Sequence, residues 1–134
     1  MFTVTEINDG ALLRFEMRSE TGEMESSFKV NPYDMYLPQK MQEVLNELKT
    51  LKDKKVTTPE EWAAFDEDLA YLLSAALGGN QEGSMFRKYA PTEQLANGEV
   101  LCVLIVKEVC KQCKYYVEKR RAMFAQRSFD YKKK

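Results

Sequence analysis

The hydrophobic period of this chain changes at about residue 30, and that change constrains the fold more than any other feature. Before it, Leu13, Phe15 and Met17 alternate with Arg14, Glu16 and Arg18. A period of two puts one apolar and one charged face on a strand. After it, Met41, Val44, Leu45, Leu48 and Leu51 recur at the spacing of a helix face. One chain that carries both periods in separate blocks predicts an α+β fold, with a sheet first and helices after it.

The strand block divides at two turns. Asn8-Asp9-Gly10 supplies residues that tolerate positive φ, so it predicts a hairpin between Phe2–Ile7 and Ala11–Met17. Thr21-Gly22 leads into Met24–Val30, where Phe28 and Val30 share a face. The expected unit is a small antiparallel β-meander over residues 1–30.

Three main helices are expected over 31–127. Asn31-Pro32 reads as a cap followed by proline in the first helical turn, and Pro38 restarts the helix in the same way. That helix should fade in Lys52-Asp53-Lys54-Lys55. Thr58-Pro59-Glu60-Glu61 marks the next start, because Thr58 can cap, Pro59 suits the first turn and Glu61 can complete a capping box. Trp62, Phe65, Leu69, Leu72, Leu73 and Ala76 form its apolar stripe, and Gly78-Gly79 ends it. Residues 78–98, rich in Gly, Asn, Ser and Pro, allow one short helical turn around Met85–Tyr89. The last helix is expected to begin near Asn97 or Glu99 and to bury Leu101, Ile105, Val109, Tyr116 and Phe124. Residues 128–134 read as a frayed basic tail, and the whole of 1–134 as a single domain.

At 134 residues with 44% hydrophobic side chains, such a chain can bury a core without disulfides or metal. The longest apolar run, Val100–Val106, is far short of the roughly 20 residues of a membrane span. The N-terminus lacks the basic and apolar segments of a secretory signal, so a cytoplasmic location is expected.

Catalytic readings meet a strict limit, since the chain has no histidine. Cys110-Lys-Gln-Cys113, with Cys102 nearby, provides three thiols where a closed zinc site needs four ligands. Ordinary structural thiols are expected. Glu60, Glu61, Asp66, Glu67 and Asp68 sit in the first turns of a helix, where the backbone dipole favours acids, and their spacing is not that of a calcium loop. Gly78-Gly79-Asn80 and Gly83-Ser84 lack the Lys-Ser/Thr of a phosphate loop. No cofactor, metal or enzymatic activity is expected.

Charge is divided along the chain. Residues 107–134 hold ten Lys/Arg against three Asp/Glu, so of a net −1 the first 106 residues carry −8. Such polarity can steer an acidic partner to the tail or draw copies together head to tail. Lys119-Arg120-Arg121 among Tyr115, Tyr116 and Phe124 could also grip nucleic acid, although the acidic remainder would repel a long duplex.

In Glu60–Phe86, Trp62-Ala-Ala-Phe65-Asp-Glu-Asp-Leu69 precedes Leu77-Gly78-Gly79-Asn80 and then Ser84-Met85-Phe86. In this order of parts the chain resembles the small tail assembly chaperones of tailed phages and prophages of Gram-positive bacteria. The resemblance implies a non-enzymatic protein that holds a long helical tape measure protein until tube subunits replace it. It further implies partner contacts through Trp62, Phe65 and Leu69 on one helix and Tyr116 and Phe124 on the last. The alternative from another class is a small nucleic-acid-associated regulator that uses the basic C-terminal helix and tail.

Overall fold

The structure, a computed structural model, describes the backbone of residues 2–7 and 11–133 and their side chains, apart from those of Lys52 and 127–133. Three strands, β1 (Thr3–Ile7), β2 (Leu12–Arg18) and β3 (Met24–Val30), form one antiparallel sheet in the order β1-β2-β3. They are followed by α1 (Leu37–Lys49), α2 (Pro59–Ala76), the short α3 (Glu82–Met85) and the long α4 (Leu101–Lys133). The α+β meander-then-helices architecture is therefore the one that the change of period predicts.

The alternation in β2 does what its period requires. Leu13, Phe15 and Met17 are buried, and Phe15 pairs with Val4 on one side and Phe28 on the other. Phe15 and Phe28 stack with ring centroids 4.9 Å apart, while Phe2 meets Phe28 edge-on at 5.4 Å. Such aromatic pairs add about 0.5–1.5 kcal/mol beyond their area burial. Gly22, at φ +89°, closes the second turn by donating its N–H to Ser19. The expected Asn8-Asp9-Gly10 turn lies outside the described residues, but Ile7 does pair with Leu12 across the hairpin.

Four details differ from the sequence reading. Asn31-Pro32 does not start a helix: the Asn31 Oδ1 accepts from the Tyr33 N–H at 2.9 Å, and the Asp34 Oδ1 accepts from the Tyr36 N–H at 2.9 Å. The second of these side-chain turns takes the Tyr36 amide that a helix continuing from Asn31 would use, and α1 begins only at Leu37, with Pro38 in its first turn. The turn expected around Met85–Tyr89 is α3, placed earlier, with Met85 fully buried at its end.

α4 starts at Leu101 because Asn97-Gly98 is spent on a tight turn, with Gly98 at φ +87° and the Leu95 N–H donating to Glu99. Its first amides are satisfied from outside, Leu101 by the Glu93 carbonyl and Cys102 by that of Pro91. At its other end α4 continues through 128–133, where a frayed tail is expected, since no Gly or Pro interrupts it.

α2 begins and ends as its residues dictate. The Thr58 hydroxyl accepts from the Glu61 N–H at 3.1 Å, and after Ala76 the backbone turns left-handed at Gly78, Gly79 and Asn80. Leu69 and Leu73 of α2, Met41 and Val44 of α1, and Leu101, Ile105 and Val109 of α4 pack with the apolar face of the sheet into one core.

Candidate protein-binding surface

α4 is 33 residues long, or about 50 Å at the rise of an α-helix. Its apolar stripe belongs to two environments. Leu101, Cys102, Ile105, Val109 and Cys113 are buried, Tyr116 and Val117 are half-buried, and every residue from 118 to 126 is exposed. The helix therefore leaves the body with its stripe uncovered, carrying Met123 and Phe124, the latter 56% exposed. A short helical stretch exposed on every side gains little from its own hydrogen bonds, so packing against something else would stabilise it.

Beside the point where α4 leaves the body, the 32–38 segment forms a second wall. Tyr33, Met35, Leu37 and Pro38 face Cys113 and Val117 across a groove of about 690 Å³. Lys114, Glu118 and Arg121 bring charge to its α4 side. Tyr33 is also a wall of a second groove, about 530 Å³, that holds Glu6, Tyr116 and Met123. The Arg120 guanidinium lies 4.5 Å from the Tyr33 ring centroid and 5.5 Å from that of Phe124, so a cation bridges the two aromatics at the groove edge. Burial, with the Glu6 carboxylate nearby, pushes the Tyr116 phenol above its ordinary pKa and keeps it neutral. Met35, 80% exposed, and Tyr36 extend the apolar area outward.

The five residues singled out from the sequence do not come together. Phe65 and Leu69 are core residues, Leu69 with no accessible surface, so neither offers a contact to a partner. They face inward because that side of α2 packs against α1 and into the common core. Trp62 is 41% exposed, but its indole N–H donates to the Thr92 hydroxyl at 2.9 Å, and Asp66 accepts from the Thr92 N–H and hydroxyl. Its place is to pin the 91–94 segment to α2. Of the five, Tyr116 alone lines an α4 groove, and Phe124 meets its edge only through the Arg120 guanidinium. Sequence reasoning missed Tyr33, Met35, Tyr36 and Pro38; the available signal was a cluster of apolar residues between Pro32 and Pro38 that follows neither period.

The three thiols are held away from the reactive thiolate form. Burial pushes Cys102 and Cys113 up to about 12, and desolvation raises Cys110 as well, so all three remain protonated. Among the described residues, no three His, Cys, Asp or Glu side chains come close enough to hold a metal ion. None of the described helices is long and apolar enough to cross a membrane. Comparison of the chain with protein-family models, curated proteins and solved structures finds no match.

Proposed function

We propose that this protein is a non-enzymatic holder of protein segments, and that its partner is an amphipathic helical stretch seated in the groove between residues 32–38 and α4. The observation that carries this reading is the apolar groove beside an uncovered helical stripe. An apolar helix face laid into such a groove buries area on both sides and needs no chemistry from the host. The specific reading is a phage tail assembly chaperone working in the host cytoplasm, with the long helical tape measure protein as its partner. Many weak grooves, one per copy, would shield a long apolar rod while leaving it releasable.

The test is calorimetric titration with a helical segment of a tape measure protein, taken from the gene neighbourhood of this chain if one is encoded there. Micromolar binding that is retained at high salt supports the reading. Binding of single-stranded nucleic acid that falls steeply with salt, with no peptide binding, supports the regulator instead. Absence of a tape measure gene nearby would remove the phage assignment.

A further inference from the structure

α4 carries a second exposed stripe, separate from the 32–38 groove, whose far end, Lys119 and Met123, also borders the smaller groove beside Tyr116. Lys111, Tyr115, Lys119 and Met123 follow one another at i, i+4 spacing and are all exposed, so cation and apolar group alternate along one helix face. Between α1 and α2 a shallow groove of about 420 Å³ presents the opposite character. It is lined by Glu47, Glu67, Asp68, Tyr71 and Leu72. Lys54 pairs with Glu47 at 3.1 Å, so the two exposed α2 carboxylates, Glu67 and Asp68, carry the negative charge of this surface. Tyr71, 68% exposed, stands beside them.

We infer that this groove receives the Lys111/Tyr115/Lys119/Met123 face of α4 from a second copy of the chain. The charges are complementary, cation to carboxylate, and each surface carries an aromatic ring for the centre of a contact. The occupant comes from another molecule because α4 is a single unbroken helix whose first half packs into the chain's own core and against α1. Its exposed half points onward from that anchor and has no hinge on which to return. Tip-to-groove contact is heterologous, joining two different surfaces, so it can be repeated from copy to copy or closed by reciprocal exchange. It leaves the 32–38 groove open, and it stands or falls separately from the proposed partner.

Analytical ultracentrifugation of the full chain over a concentration series, at low and high salt, reads the contact. Wild type should self-associate more weakly as salt rises. The charge reversals Glu67→Lys with Asp68→Lys, and separately Lys111→Glu with Lys119→Glu, should each weaken association by on the order of tenfold. An equimolar mixture of the two reversed proteins should recover it, because each then offers the other a matched tip and groove. That recovery also shows that both variants are folded. Tyr71→Ala, which changes no charge, should weaken association as well. A wild type that is monomeric throughout, reversed variants that associate like wild type, or a mixture that fails to recover would each overturn the inference.

Discussion

The side-chain amide of Gln81 pairs with both backbone groups of Lys29, accepting from its N–H at 2.6 Å and donating to its carbonyl at 2.9 Å. This is the pairing that another strand would make. β3 is an edge of the sheet, and Gln81 closes part of that edge from the loop after α2. The same residue holds itself in place, since its N–H donates to the Ser74 hydroxyl and its amide nitrogen also reaches the Leu77 carbonyl. Gln81→Ala should cost about 0.5–1.5 kcal/mol, the net worth of a hydrogen bond, since the Lys29 groups are exposed and water can replace the lost amide. Urea denaturation measures the loss, and faster hydrogen exchange at the Lys29 amide would localise it.

Glu25 makes stability depend on pH. The hydrogen bond from the Lys88 ammonium, at 2.9 Å, is the largest cause holding its carboxyl below the ordinary value, assisted by the Tyr89 hydroxyl and opposed by burial. A depressed folded-state pKa means that the contribution is present above the unfolded value, near 4.5, and is lost as pH falls through the lower folded value. Lys88 is well exposed, so the effect is modest after solvent screening. Denaturation of wild type and Glu25→Gln across this range should show curves that converge in acid and separate towards neutrality.

Thiol labelling should divide the three cysteines. Cys110 is exposed, whereas Cys102 and Cys113 are buried with pKa values pushed to about 12. A thiol reagent at neutral pH should modify one cysteine per folded chain, slowly, and all three once the chain is unfolded. Rapid modification of Cys113 in the native protein would mean that the base of the α4 groove opens.

Phe15 tests the core. It is fully buried and lies in the central strand, stacked on Phe28. Phe15→Ala should cost about 3–5 kcal/mol, and Phe15→Asp at least as much. Thermal melting of the two variants checks the order.

What could be read from the sequence follows from where a pattern is enforced by burial. The meander was legible because Leu13, Phe15 and Met17 must all face one way, and Thr58-Pro59 because a cap and a proline act locally. Where local patterns compete, the sequence does not decide: Asn31 can cap a helix or close a turn, and here its side chain closes a turn on Tyr33. The candidate surface was less legible still. An apolar helix stripe has the same spacing whether it is covered or bare, so Phe65, Leu69 and Phe124 look alike in sequence although two are core and one is exposed. Tyr33 and Met35 follow no period at all, and become a groove wall only because two side-chain turns hold them opposite Val117.

The central claim is that the groove between residues 32–38 and α4 holds a protein segment, and Val117 offers the most direct test of it. This residue is half-buried on the groove side of α4, so Val117→Glu places a charge in the groove with little cost to the fold. Calorimetric titration of wild type and this variant with the same helical tape measure segment should show at least about tenfold weaker binding for the variant, the loss expected at a contact centre, with the thermal melt nearly unchanged. Equal affinity for the two proteins, or no binding to either, would contradict the account.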